Sequence, residues 1–144
     1  MQDMPHIYRV SASAAADADV SLTGPGLPTL ASAPPAEFGG PGNLWSPETL
    51  LTAAVADCFI LSFKAIARAS KFAWSALSCD VEGTLDRADG QLKFTNFSVH
   101  ARLVVSADSD LARAEKLLHK AEAACLITNS LSGASHLETE ITQM

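Results

Sequence analysis

Cys58 and Cys125 are the side chains of this sequence best suited to chemistry. Cys58 sits in the middle of an apolar, helix-forming run from Leu50 to Leu61. Cys125 closes a second such run within Ala123-Ala124-Cys125-Leu126-Ile127-Thr128-Asn129-Ser130. A thiol attacks only as its thiolate, so a site that uses one must lower a pKa that starts near ~8.5. Two thiols on separate helices that meet face to face can cycle between dithiol and disulfide. With a peroxide as oxidant, the cycle passes through a sulfenic acid on one of them. The plainer alternative is a pair of structural thiols, because free cysteine is commonly buried. Cys79, the third cysteine, alternates with apolar positions of a strand and reads as core. The four histidines, His6, His100, His119 and His136, are scattered and share no ligand spacing.

Composition bounds what else the chain can do. Its 144 residues suit one domain covering 1–144. Hydrophobic residues make up 48% and charged residues 18%, a core-rich chain whose sparsely charged surface suggests cover by another chain. A net charge of −6 without any basic tract argues against nucleic acid as a partner. An odd number of cysteines without tight spacing fits neither a secreted disulfide framework nor a zinc site, so no metal and no cofactor is expected. Met1-Gln2-Asp3-Met4-Pro5 lacks the pattern of a signal peptide. The Leu50–Phe63 run is broken by Thr52, Asp57 and Ser62 and is too short to cross a membrane. A cytoplasmic protein with no membrane partner is the expectation.

The elements that must hold the thiols can be read along the chain. Residues 7–14 alternate as a first strand and Val20-Ser21-Leu22 as a second. From Gly24 to Gly42, five prolines and five glycines exclude a helix or a central strand and predict a long loop. Ser46-Pro47-Glu48 combines an N-cap, a first-turn proline and an acidic residue at the positive end of the dipole, and it starts a helix running to about Ser70. Apolar residues surround that helix over 50–61, which predicts burial of its first half on all sides, with a dimer as the remedy. Residues 75–87 and 91–105 are paired strands joined by a type I′ turn at Asp89-Gly90, with a bulge near Asn96 where the apolar parity shifts. Asp108-Ser109-Asp110 caps a second long helix, whose stripe runs Leu111, Ala114, Leu118, Ala121, Cys125. His136–Ile141 forms a terminal strand.

The Ser46-Pro47-Glu48 start, the Ala56-Asp57-Cys58-Phe59 stretch and the Cys125-Leu126-Ile127-Thr128-Asn129-Ser130-Leu131 stretch together resemble the OsmC/Ohr family of osmotically inducible and organic-hydroperoxide resistance proteins. The Phe38-Gly39-Gly40-Pro41-Gly42-Asn43 loop resembles that family's approach to its first long helix. The resemblance implies an α+β fold in which two antiparallel sheets wrap two central helices in an intertwined homodimer. It implies a thiol-dependent peroxidase acting on organic hydroperoxides and recycled by a dithiol reductant such as a lipoylated protein. By position, Cys58 is the peroxidatic thiol, Cys125 the resolving thiol and Glu48 the acidic partner. Leu126 stands where the family has proline and Thr128 where it has serine. The family's arginine falls at or beside Ala18 in one branch and near Pro35 in another, and between Arg9 and Lys64 this chain has no basic residue. That departure favours an alternative: an OsmC-like protein without efficient peroxidase activity that binds an apolar or thiol-bearing small molecule.

Helix geometry adds a condition. Lys64 and Arg68 lie ~9 and ~15 Å beyond Cys58 along one helix, out of contact with its sulfur. Glu48 lies ~15 Å before it, so a catalytic Glu48 must come from the helix of a second copy. Asp57, next to Cys58, reads as facing solvent or an interface.

Overall fold

A computed structural model describes residues 1–144, which fall into two compact units, Met1–Leu50 and Leu51–Met144. In the first unit, strands β1 (Ser11–Ser13), β2 (Val20–Thr23) and β3 (Leu30–Ser32) form an antiparallel sheet in that order. Of the strand expected over 7–14, only Ser11–Ser13 pairs, with Ser21–Thr23. Ile7, Tyr8 and Val10 stand well exposed, so the preceding alternation has nothing to bury against within one chain. β3 lies inside the stretch expected to be loop. The prolines at 25, 28, 34 and 35 bracket five residues that carry N–H groups, and three of them, Leu30–Ser32, pair with β2. Beyond it, Ser32 bridges Trp45 and the Ala33 N–H donates to the Trp45 carbonyl at 2.9 Å. A Cβ on Gly40 would lie 1.7 Å from the Pro34 carbonyl oxygen, so this loop closes only with glycine there.

Helix α1 (Pro47–Ala69) begins as its sequence dictates. The Ser46 hydroxyl accepts from the Thr49 N–H at 3.1 Å, while the Thr49 hydroxyl accepts from the Ser46 N–H at 2.8 Å. Threonine thus completes a reciprocal cap of the kind usually closed by Glu or Gln.

The second unit contains most of α1, strands β4 (Ala76–Ala88) and β5 (Gln91–Val105), helices α2 (Leu111–Ala124) and α3 (Leu126–Asn129), and strand β6 (Ala134–Gln143). β4 and β5 pair antiparallel through the expected turn, where Asp89 and Gly90 take φ values of 54° and 76°. The register shifts between Thr84 and Leu85, which oppose Asn96 and Phe94, leaving Thr95 as the extra residue of the expected bulge. The α+β class holds, with one departure from an all-antiparallel second sheet: β6 runs parallel to β5. A parallel neighbour requires a long crossover, and α2 with α3 provides it.

The core of this unit is built from three surfaces. Val55, Phe59, Phe63 and Ala67 form a four-residue-spaced stripe on α1. Phe97, Val99, Ala101, Leu103 and Val105 line one face of β5, and Ala114, Leu117, Leu118 and Ala121 line α2. Gly83 lets α1 come close to β4, since a Cβ there would meet the Thr52 hydroxyl at 2.8 Å. The α2 stripe differs from expectation at two places: Leu117 is buried, and Leu111, in the first turn, is 43% exposed. Burial of α1 is also narrower than expected, one stripe rather than all sides, with Leu61 left 56% exposed. By length and composition alone the whole of α1, at 23 residues, is apolar enough to cross a membrane, although its Leu50–Phe63 run by itself is shorter than a span. Its buried stripe instead carries the core of this unit.

Candidate active site

Cys58 lies beside the buried α1 stripe, one residue before Phe59, and is itself half-buried. The helical spacing of four puts Ser62 over it, with the hydroxyl 3.9 Å from the sulfur. Asp57 is exposed, as expected.

Cys125 occupies the joint between two helices. Its backbone N–H closes α2 on the Glu122 carbonyl at 3.1 Å, and its ψ of 104° then turns the chain into α3. The joint is tied down locally. The Thr128 hydroxyl and the Asn129 N–H both donate to the Cys125 carbonyl, at 3.1 and 3.0 Å, and the Asn129 side chain returns to the Ala123 carbonyl at 3.0 Å. The last carbonyls of α2 thereby find partners. Cys125 is only 2% exposed.

The structure brings these two thiols together. Burial, the largest influence on Cys125, pushes its pKa up. The Thr128 hydroxyl, the Thr128 N–H, the Cys58 thiol and the Ile127 N–H jointly outweigh it and leave the thiol below its usual range. No ionised side chain contributes. Sulfur makes no conventional cap on α3, because a neutral thiol is a weak acceptor. The same donors hold a thiolate far better, since charge strengthens and shortens such bonds.

Cys79, on β4, is the opposite case. Its thiol donates to the Ala56 carbonyl at 3.7 Å. Burial pushes its pKa up, neighbouring Asp80 adds to the rise, and Arg102 offsets part of it.

Glu48 sits in the first turn of α1, half-buried, with Oε1 shielded from solvent. Ten residues of helix separate it from Cys58, ~15 Å along the axis, so α1 does not join them. Thr128 was legible only as a stand-in for serine. The signal for its role is its position three residues after a cysteine that precedes a turn, the spacing at which a hydroxyl reaches back.

A second grouping lies on the outer face of the β4–β5–β6 sheet. Asp80, Glu82, His100, His136 and Glu138 line a surface hollow of about 430 Å³. Cross-strand pairing sets Asp80 against His100 and His100 against Glu138, while Arg102 pairs with Asp80 at 2.8 Å. Two of the four histidines, scattered in sequence, therefore share one face. No group of three or more His, Cys, Asp or Glu side chains is arranged to hold a metal ion.

Comparison with known proteins agrees with this architecture. The Bacillus subtilis protein YmaD is 29% identical over 109 residues, covering 74% of this chain and 73% of YmaD. An OsmC-like protein of unknown function from Vibrio cholerae superposes with a TM-score of 0.85 at 18% identity, covering 94% of this chain and 99% of the other. An organic hydroperoxide resistance protein OsmC from Legionella pneumophila superposes with a TM-score of 0.75 at 25% identity, covering 97% and 99%. The family model described as OsmC-like protein matches residues 40–140, the span that contains Glu48 and all three cysteines. The chain therefore belongs to the OsmC-like protein family.

Proposed function

We propose that this protein is a thiol-dependent peroxidase that reduces organic hydroperoxides through a Cys58–Cys125 redox pair. The single observation that supports it most is the meeting of two free thiols from separate helices, one of them made more acidic by its neighbours. Cys58, half-buried, is the thiol that meets peroxide, and the more enclosed Cys125 resolves its sulfenic acid to a disulfide. A cytoplasmic dithiol, such as a lipoylated protein, returns the pair to its reduced state. Relatives named for organic hydroperoxide resistance support the substrate class.

The whole chain, 1–144, acts as one domain in this reading, and two copies form the working unit. The partly uncovered apolar surface of α1, with Leu61 exposed, supports the dimer. Glu48 joins the site from the partner's α1, the arrangement that the ~15 Å spacing within one helix requires. A monomer with full activity would remove Glu48 from the mechanism.

The alternative, an OsmC-like protein that binds an apolar or thiol-bearing small molecule without efficient peroxidase activity, is favoured by the absence of any basic residue between Arg9 and Lys64. Incubating reduced protein with cumene hydroperoxide and a dithiol separates the two. Peroxide loss with a Cys58–Cys125 disulfide found by mass spectrometry is the expected result. An unchanged peroxide concentration with both thiols intact supports the alternative.

A further inference from the structure

Arg113 stands at the wrong end of its own helix. It lies in the first turn of α2, where the helix dipole disfavours a cation, and no acidic residue shares that turn. Its side chain serves α1 instead. The guanidinium donates to the Ser70 carbonyl and lies over the Phe72 ring, 5.4 Å from the centroid. There α1 ends in a tight reversal, with Lys71 at a φ of 54°. The Phe72 N–H donates to the Ala67 carbonyl at 2.9 Å and the Lys71 N–H to the Arg68 carbonyl at 3.1 Å. Those bonds do not use the Ser70 carbonyl, and Arg113 takes it. On the α2 side, the Asp110 carboxylate accepts from the Arg113 N–H at 3.0 Å and fixes the other end of the link.

The place of this link in the chain gives it a role. Twelve residues separate Cys58 from Ser70 along α1, and twelve separate Arg113 from Cys125 along α2. Each arm therefore spans ~18 Å at 1.5 Å per residue. One arm runs from thiol to link and the other from link to thiol, so the arms are antiparallel and matched in length. Between their ends, Phe59, Phe63 and Ala67 of α1 share one core with Ala114, Leu117, Leu118 and Ala121 of α2. That apolar contact is non-directional and does not by itself fix how far one helix slides along the other. The sliding matters, because a disulfide needs Cα atoms about 4.4–6.8 Å apart, and a slip of one turn moves a helix ~5.4 Å. We propose that Arg113 is a positioning residue for the redox pair: by holding the end of α1 at the start of α2, it sets Cys58 and Cys125 at the matching height where their sulfurs can bond. This deepens the reading above and rests on its Cys58–Cys125 pair. Arg113 itself touches neither thiol nor peroxide.

The test needs no peroxide. Full-length protein is equilibrated in mixtures of oxidised and reduced dithiothreitol, and the Cys58–Cys125 disulfide is counted by mass spectrometry after alkylation of free thiols. In the exchange the S–S bond of oxidised dithiothreitol breaks, the protein S–S bond forms, and two electrons and two protons pass to the dithiothreitol sulfurs. Arg113→Met keeps an apolar stem and removes the donors and the charge. It is expected to lower the equilibrium constant for the disulfide about 10-fold, roughly 30 mV for this two-electron couple. Arg113→Lys, which keeps a donor and the charge, is expected to stay within about 2-fold of wild type. Ile141→Val, on β6 and away from the link, loosens the same core and is expected to leave the constant unchanged. An unchanged constant in Arg113→Met overturns the proposal, and so does an equal fall in Ile141→Val, which marks a general loss of packing. Should Arg113→Met not fold, Arg113→Gln, too short for the Ser70 carbonyl, is read in its place with the same two outcomes. A wild-type protein that forms no disulfide overturns the proposal together with the redox pair. A disulfide that forms while cumene hydroperoxide is not consumed ends the peroxidase reading and leaves the positioning role of Arg113 standing.

Discussion

Cys125 and Cys79 are both cysteines drawn into the same unit, yet their surroundings treat charge in opposite ways. Cys79 uses its thiol proton to satisfy a helix carbonyl and has the carboxylate of Asp80 beside it, so it is held neutral. Cys125 is more deeply buried, yet it faces N–H and O–H groups and is drawn toward its thiolate. Enclosure alone therefore does not decide whether a cysteine is inert. The sign of the dipoles facing the sulfur decides it, and here backbone and hydroxyl donors overcome desolvation without any cation.

The largest expected effect concerns activity. Cys58→Ser should reduce peroxide consumption to background, whereas Cys79→Ala should leave it unchanged, both followed with cumene hydroperoxide and a dithiol. Next comes stability in chemical denaturation. Cys125→Val leaves the Ile127 and Thr128 donors facing methyl groups and should cost about 1–3 kcal/mol. Cys79→Val fills similar space without orphaning comparable donors and should cost less than about 1.5 kcal/mol.

Alkaline pH should separate the two positions by sign. Cys79 has a raised pKa in the fold, so its contribution is intact below the unfolded thiol value and is lost as pH rises through the folded one. Cys125 has a lowered pKa, so it contributes above the unfolded value and loses that contribution as pH falls through the folded one. Melting temperatures measured from pH 7 to pH 10, spanning the ordinary thiol value near ~8.5, should show Cys79→Val gaining on the wild type while Cys125→Val falls further behind. Parallel curves for the two variants would break the comparison. The smallest effect is expected for Asp80→Asn, which removes the carboxylate that helps raise the Cys79 pKa. It should move the Cys79 titration slightly downward and leave that of Cys125 in place.

The sequence was most informative where one local rule had no competitor. Ser46-Pro47 placed the start of α1, Asp89-Gly90 fixed a turn needing two positive φ values, and the parity change in β5 located the bulge. It was least informative where pairing depended on distant strands. Three of the five residues between Pro28 and Pro34 became β3 because β2 offered an edge, and the direction of β6 followed from its crossover rather than from its own residues. That Cys58 and Cys125 lie on separate helical runs was legible, and in the fold Cys58 is among the groups that act on the Cys125 thiol. The polar surroundings of Cys125 could not be read from its apolar neighbours, since much of the effect comes from backbone N–H groups exposed by the bend after α2. The grouping of His100 with His136 was similarly hidden, because register between β5 and β6 creates it.

The four-residue helix α3 has a consequence of its own. A turn this short has little cooperative strength, and its first N–H groups face the sulfur of Cys125. Forming a bond of ~2.05 Å to Cys58 redirects that sulfur, so those amides lose an acceptor. Deuterium should then enter the backbone of Leu126–Asn129 faster in the disulfide form, making this segment an intrinsic gauge of the protein's oxidation state that needs no added label.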